Sequence, residues 1–260
     1  MDAVRQLLGI IEKIAKGNYS NDIMALTTDD QPETVRTVAE AIGMMMVKIE
    51  AREYQLEMMV EELKVLNRKI KENTIKTVSA MAHALAARDA YTEGHAARVG
   101  DLAGRMAALM GLNEEEAESI RLGGILHDIG KIGFPDELFQ AHEGQNPDNL
   151  VKEIMKHPGA GAEILKDLDF LGGSVELVHC HHERLDGKGY PRKLNAEEIP
   201  LGARILAVAD SYDAMTTDRP YQKGRFPEVA LGILKQHAGT RWDETCIEAL
   251  EAVLGNFQNQ

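Results

Sequence analysis

Residues 42 to 70 carry an apolar stripe at heptad spacing, which confines this part of the chain to a long α-helix. Its members are spaced by alternating steps of three and four residues, and Arg52 and Asn73 occupy two positions of the same repeat. The apolar members are Ile42, Met45, Ile49, Leu56, Met59, Leu63, Leu66 and Ile70. Steps of this size place the side chains on one helix face. Glu, Lys and Arg flank the stripe over four heptads, which favours a parallel coiled coil between two copies over packing within one chain.

The segment before the stripe adds a second helix and a connector. Residues 3 to 16 have apolar residues at helical spacing, and "GNYSNDIMALTTDDQPET" has the Gly, Asn, Asp and Pro of a connecting segment. The helical pattern resumes at about Glu33. This helix–connector–helix layout resembles a HAMP signalling module, the parallel four-helix dimer found in receptors. The resemblance implies that residues 1–73 form a regulatory region that makes the chain a homodimer.

Residues 74–260 show helical spacing and little strand alternation. Segments such as "HAARVGDLAGRMAALMG" and "LGARILAVADSYDAMT" repeat apolar residues every three to four positions. Asn113 followed by three glutamates predicts a capped helix start with acids in the first turn. The predicted architecture is therefore an all-α domain of residues 74–260 that follows the helical region of residues 1–73.

The amino-acid composition limits the kinds of binding partner and the compartment that we expect for this chain. The formal net charge of -13 argues against broad DNA or RNA binding, whose affinity comes from neutralising phosphates. Only two cysteines occur, far apart in sequence, which is typical of a reducing compartment. The N-terminus has no basic segment followed by a long apolar run, so no signal peptide is expected. No run approaches the ~20 apolar residues of a membrane span. We therefore expect a cytoplasmic protein without a membrane span.

The chemistry-bearing residues are concentrated histidines and acids. Nine histidines occur, and seven of them fall between His95 and His182. Several stand beside acids, as in "GILHDIGK" and "HCHHE". A carboxylate can bridge two ions while an imidazole binds one, so the pattern predicts a metal pair. His181 and His182 would diverge by about 100° on a continuous helix, so both can be ligands only if they serve different ions or if the helix ends there. Asp186, Gly187 and Gly189 follow at once, which favours a helix end.

Six motifs, in order, carry a resemblance to a known family. They are "RDAYTEGHAARV", "HDIGKIGFPDELF", "HPGAGAEIL", "HHERLDGKGYP", "IPLGARILAVADSYDAMTTDRPY" and "GTRWD". The order His, His-Asp, His, His-His, Asp resembles the HD phosphohydrolases, and the GYP stretch makes the chain similar to the HD-GYP family, whose members hydrolyse cyclic di-GMP. The resemblance covers about residues 78 to 250 and implies an HD-type helical bundle.

The resemblance implies a site with two metal ions. His127, Asp128 and Asp210 would bind one ion, and Asp128 would bridge to a second held by His157, His181 and His182. His95 completes the set, with the choice between the two ions left open. Iron or manganese suits such mixed imidazole and carboxylate ligands, and zinc is chemically acceptable. The ions would activate a hydroxide for in-line attack at phosphorus.

Substrate contacts are also implied by the resemblance. Asp128 and Lys131 would be catalytic, with Lys131 neutralising charge on the phosphate. The residues implied to contact the ligand are Asp89, Thr92, Lys131, Gly189, Tyr190 and Arg219. The chain departs from the family at Tyr91, where some members place a glutamate and bind a third metal, so two metals are expected here. Gln222 replaces a common basic residue, and Lys223 would substitute for it.

Several functions remain open at this point. The leading prediction is hydrolysis of cyclic di-GMP to linear pGpG, and the further step to GMP is left open. The alternatives are a phosphodiesterase for cyclic GMP-AMP, a non-catalytic cyclic dinucleotide sensor, and hydrolysis of a mononucleotide or ppGpp. Residues 1–73 would regulate the domain by a change of coiled-coil packing passed through Thr74 to His83 into the helix preceding His95. An upstream signalling protein would supply the signal.

Overall fold

The computed structural model describes residues 2–19, 21–88, 94–135, 148–218 and 223–257. The chain divides into two compact units, Met1–Glu72 and Asn73–Gln260. None of the described helices is long and apolar enough to cross a membrane. The predicted identity of residues 1–73 as a HAMP-like regulatory region stays a prediction.

The first unit contains helix α1 (Asp2–Ala15), a short 3-10 helix (Asn21–Leu26) and the beginning of α2 (Glu33–Arg88). Its core is one apolar cluster formed by Leu7, Ile10, Ile23, Leu26, Val35, Ala39 and Met46. The predicted connector is therefore more than a link. Its residues Ile23 and Leu26 are almost fully buried, so the connector contributes to the core as well as joining the helices.

Helix α2 is continuous over 56 residues. It begins at Glu33, where the sequence predicts the pattern to resume, and it does not break at the predicted boundary between residues 73 and 74. Much of its apolar stripe faces solvent, since Met45, Leu56, Met59, Leu63, Leu66 and Ile70 are all about half exposed or more. The parallel dimer that would cover this stripe stays a prediction.

The second unit is all helical among the described residues, which confirms the predicted fold class. After the last part of α2 come α3 (His95–Leu109), α4 (Glu114–Leu126), α5 (Asp148–Ile154), α6 (His157–Leu165), α7 (Ser174–Cys180), α8 (Leu201–Thr216), α9 (Pro227–Gln236) and α10 (Glu244–Phe257). The predicted cap of α4 is confirmed: Asn113 Oδ1 accepts the Glu116 amide at 2.9 Å, and Glu116 Oε2 accepts the Asn113 amide at 3.0 Å.

Two apolar clusters hold this unit together. The larger one joins α3, α8, α9 and α10, with residues such as Met106, Leu206, Leu234 and Leu250 fully buried. Helix α10 is not among the helices predicted from the sequence. The smaller cluster contains Ala82, Leu122, Ile125, Leu126, Ile129, Leu165, Leu171 and Val178. This cluster therefore includes residues from the C-terminal ends of α4 and α7, which are followed directly by the predicted ligands His127 and His181.

Two glycines set the approach of α3 to α4. An added Cβ on Gly124 would lie 2.7 Å from Cα of Gly100, a separation that only glycine permits. This close contact brings the start of α3 beside the end of α4. His95 and His127 consequently lie with their ring centroids 5.2 Å apart.

Candidate metal centre

Six of the seven predicted metal ligands form two groups. His95, His127 and Asp128 make the first cluster, and His157, His181 and His182 make the second; within each, the ligand atoms lie within 4.8 Å of one another. The seventh residue, Asp210, lies at the first cluster, with Oδ1 at 3.2 Å from Nε2 of His95. The structure thus brings all seven side chains together, and it places His95 with the first cluster.

Three of the imidazoles are oriented by backbone carbonyls at helix ends. Nδ1 of His127 lies 2.7 Å from the Gly124 oxygen, Nδ1 of His157 lies 2.7 Å from the Ile154 oxygen, and Nδ1 of His181 lies 2.6 Å from the Val178 oxygen. A carbonyl can only accept, so each Nδ1 donates a proton. The last carbonyls of a helix lack partners within the helix. These bonds therefore satisfy them and leave Nε2 to face the site.

The consecutive histidines belong to one cluster because their helix stops. Helix α7 ends at Cys180, and His181 is its C-cap residue, which confirms the predicted helix end. Nε2 of His181 lies 3.2 Å from Nε2 of His157, and the ring centroids of His181 and His182 are 4.1 Å apart. Both imidazoles can therefore meet the same ion.

Asp128 lies between the two clusters. Its Oδ2 is 3.4 Å from Nε2 of His127, and its Oδ1 is 3.3 Å from Nε2 of His157. One carboxylate oxygen thus faces each cluster, which is the arrangement that a bridging ligand needs. Nζ of Lys131 donates to Oδ2 of Asp128 at 2.6 Å, so the lysine lies beside the bridge.

The charges of the second cluster and of Asp128 suit cation binding. Burial lowers the pKa of His157 to about 4 and that of His182 to about 3, and it holds the pKa of His181 well below its ordinary value. Burial opposes the ionisation of Asp128, but Lys131 and His127 hold its pKa well below the usual range. The second cluster therefore offers neutral imidazoles, and Asp128 offers an ionised carboxylate, the forms in which these groups bind metals.

His95 has a different partner from the other histidines. Its Nδ1 lies 2.7 Å from Oδ2 of Asp213, a buried residue of α8. Burial lowers the pKa of His95, but hydrogen bonds to Asp210 and Asp213 outweigh it and raise this pKa to about 9. Asp213 is not among the predicted site residues. The sequence does contain a sign of its location, because Asp213 follows Asp210 by three positions, a spacing that places both carboxylates on one helix face.

A buried glutamate, which is also not among the predicted site residues, anchors the loop that contains Gly189, Tyr190 and Pro191 (the GYP loop). Glu183, 3% exposed, accepts hydrogen bonds from the amides of Arg192 at 2.7 Å, Lys193 at 3.1 Å and Leu194 at 3.1 Å. A Cβ on Gly189 would lie 2.5 Å from Cα of Glu183. Glycine is therefore required at position 189 by the backbone of the loop itself.

The loop places Tyr190 against a histidine of the second cluster. The rings of Tyr190 and His182 have centroids 4.7 Å apart and an interplanar angle of 32°. The Tyr190 amide also donates to the His182 oxygen at 3.2 Å. Tyr190 thus forms part of the wall of the candidate centre and restricts the position of His182.

The remaining predicted substrate contacts are described only in part. Lys223 is exposed and precedes Gly224, whose amide donates to Asp218 at 2.7 Å. Asp89, Thr92 and Arg219, together with Tyr91 and Gln222, lie outside the described residues. Their predicted roles stay predictions.

Comparison with known proteins identifies the family. Residues 79–246 match the model of the HD domain family, so the chain belongs to that family. It is 36% identical over 197 residues to the cyclic di-GMP phosphodiesterase response regulator RpfG of Xanthomonas campestris, covering 72% of this chain and 52% of RpfG. It is 31% identical over 177 residues to 3'3'-cGAMP-specific phosphodiesterase 3 of Vibrio cholerae, covering 68% of this chain and 38% of that protein.

The fold is also found in a solved structure. A V. cholerae phosphodiesterase described as cyclic GMP-AMP specific superposes with a TM-score of 0.57 at 19% identity, covering 71% of this chain and 49% of that chain. At this identity the likeness establishes the HD fold alone. This chain spans about half or less of the length of the relatives named here.

Proposed function

We propose that this chain is a metal-dependent phosphodiesterase that hydrolyses cyclic di-GMP to linear pGpG. The observation that carries the proposal is Asp128, whose two oxygens face two separate clusters of potential ligands at 3.3 and 3.4 Å. A bridged pair of ions is the arrangement used to displace an oxygen at phosphorus. RpfG, 36% identical, acts on cyclic di-GMP by its name.

The bound ions would number two per chain, with iron or manganese the expected elements. The first cluster with Asp210 and the second cluster with Asp128 each combine imidazole nitrogen and carboxylate oxygen, a mixture that suits these metals. Such ions supply an activated water at neutral pH and stabilise the leaving ribose oxygen.

The side chains of the protein then have distinct tasks. His127, His157 and His181 are held by backbone carbonyls, so their Nε2 atoms keep a fixed direction. Lys131, next to the bridge, offsets negative charge on the phosphate. Tyr190 packs on His182 and borders the substrate. We assign Asp89, Thr92, Gly189, Arg219 and Lys223 to substrate binding on the resemblance described above.

Cyclic GMP-AMP is the second candidate substrate. The relative that favours it is the V. cholerae enzyme with 31% identity, which is specific for 3'3'-cGAMP by its name. Both nucleotides present the same phosphodiester ring to the metals and differ only in one base. The candidate metal centre serves both, so base recognition would decide between them.

Product analysis tests the proposal. The chain is purified without oxygen, loaded with Mn²⁺, and incubated separately with cyclic di-GMP and cyclic GMP-AMP, and the products are separated by chromatography. We expect the wild type to produce linear dinucleotide and Asp128→Asn to lose more than about 100-fold in rate. A ligand shared by two ions should matter more than a residue that only hydrogen-bonds to a ligand. Bound metal without turnover of either nucleotide would favour the non-catalytic sensor.

We also propose that residues 1–73 form the dimer and regulate the second unit. The half-exposed apolar stripe of α2 supports the proposed dimer. Further along the same helix, Ile75, Val78 and Ala82 pack into the smaller cluster with Leu126 and Val178. Leu126 directly precedes His127, and Val178 accepts the bond from His181. A shift of α2 would therefore reach both clusters, and an upstream protein partner would drive it.

A further inference from the structure

We infer that Asp213 is a positioning residue for the first metal ion, acting through His95 and held in place by Arg98 and Thr217. The inference rests on the proposed metal centre. Asp213 is 6% exposed and lies 118 positions from His95 in sequence, yet its Oδ2 is 2.7 Å from Nδ1 of His95.

The location of His95 explains why it needs a side-chain partner. His127 and His181 follow the last turn of a helix, where carbonyls lack partners, and they bond to those carbonyls. His95 is the first residue of α3, and a helix start presents N–H groups instead of carbonyls. His157 also begins a helix, but α5 ends just before it and supplies the Ile154 carbonyl as the acceptor for its Nδ1. For Nδ1 of His95 the acceptor comes from α8, which supplies Asp213.

Asp213 is itself fixed on both oxygens. Arg98 donates from Nε to Oδ1 at 2.6 Å and from a terminal nitrogen to Oδ2 at 2.9 Å, a two-bond pairing that sets the plane of the carboxylate. The hydroxyl of Thr217 donates to Oδ2 at 3.2 Å. The carboxylate cannot rotate away without breaking these bonds, so it holds the His95 ring with Nε2 toward Asp210.

The consequence is specific to one of the two ions. Asp213 contacts a ligand of the first cluster, whereas the histidines His157 and His181 of the second cluster are held by backbone. A carboxylate behind a metal-bound histidine fixes the ring and increases its basicity, and its loss costs about 10- to 100-fold in metal affinity. Removal of Asp213 should therefore weaken the first ion and leave the second unchanged.

The chain contains a matched control. Asp243 is also bound by an arginine and a threonine, with Arg204 at 3.1 Å and the Thr245 hydroxyl at 2.6 Å. No histidine is among the bonding partners that the structure gives for Asp243. Asp243→Ala therefore removes a partly buried arginine–carboxylate pair from the same unit, together with two bonds from amides at the start of α10, and none of the bonding partners given for Asp243 is a predicted ligand.

The experiment is a Mn²⁺ titration of the full chain, with free Mn²⁺ followed by electron paramagnetic resonance. The wild type and Asp243→Ala should bind two ions alike. Asp213→Ala should bind one ion with unchanged affinity and the other about 10- to 100-fold more weakly. If Asp213→Ala does not fold, Asp213→Asn, of nearly the same shape, should show a loss confined to the same ion.

Two results would overturn the inference while the proposed function stands. The first is a folded Asp213 variant that binds both ions as the wild type does. The second is an equal weakening of both ions in the Asp213 and Asp243 variants, which would mean that the effect is general loss of structure. A wild-type chain that binds no Mn²⁺ would instead overturn the proposed function, together with this inference.

Discussion

At the scale of single residues, the candidate centre depends on how each imidazole is held. Backbone carbonyls fix His127, His157 and His181. His182 is packed between the rings of His181 and Tyr190, with centroids 4.1 and 4.7 Å away. Packing against these two rings therefore determines the position of the His182 ring, whereas the other three rings are positioned by hydrogen bonds.

We expect Tyr190→Ala to weaken one bound ion by about 10-fold or more, because His182 loses the ring that restricts it. Tyr190→Phe keeps the ring and should keep metal affinity within about twofold, although substrate binding could change separately. Both are measured by Mn²⁺ titration. Equal losses in the two variants would show that the hydroxyl, and not ring packing, holds the site.

The sequence could single out the candidate ligands but not the residues that hold them in place. His181 and His182 stand out because adjacent imidazoles followed by glycines form a recognisable motif. Asp213 and Glu183 were not assigned roles, since their importance comes from contacts with Arg98 and with three amides that only the folded chain brings close. A carboxylate beside a histidine motif looks the same in sequence whether it binds a metal, a guanidinium or a loop.

At the scale of helices, the contact of α3 with α4 determines where the first cluster forms. Gly100 and Gly124 meet so closely that neither tolerates a side chain without movement of the backbone. His95 and His127 lie beyond this crossing, one on each helix. A wider crossing would separate them.

We expect Gly124→Ala to lower the free energy of unfolding by about 1–3 kcal/mol, the usual cost of overpacking a core. Gly232 in α9 is the matched control, because a Cβ there meets nothing within 4 Å. Gly232→Ala should stabilise the chain by about 0.5–1 kcal/mol through helix propensity. Chemical denaturation measures both, and a stable Gly124→Ala would contradict the close crossing.

The helices were predicted unevenly, for physical reasons. The start of α2 and the cap of α4 follow from local signals, and both were predicted correctly. Helix α10 was not identified, although Ile247, Leu250 and Val253 have helical spacing and are buried. The burial of Ile23 and Leu26 in the predicted connector was also unforeseen, because turn-forming residues around them hide a contribution that arises only on packing.

At the scale of the whole molecule, the exposed stripe of α2 predicts assembly. Leu66 and Val65 are neighbours with similar exposure, 50% and 56%, but only Leu66 belongs to the heptad stripe. We expect the wild type to sediment as a dimer in analytical ultracentrifugation and Leu66→Glu to sediment as a monomer, because a buried charge is costly without a partner. Val65→Glu should leave the dimer intact, and a dimer that survives Leu66→Glu would contradict the parallel coiled coil.

We propose that two ions bridged by Asp128 give this chain its phosphodiesterase activity. Cyclic di-GMP hydrolysis should therefore be measured as a function of Mn²⁺ bound per chain, starting from metal-free protein. We expect pGpG to appear as the second ion binds and the rate to reach its plateau at two ions. Hydrolysis by metal-free protein, or no pGpG with both ions bound, would show that the bridged pair of ions is not the catalytic centre.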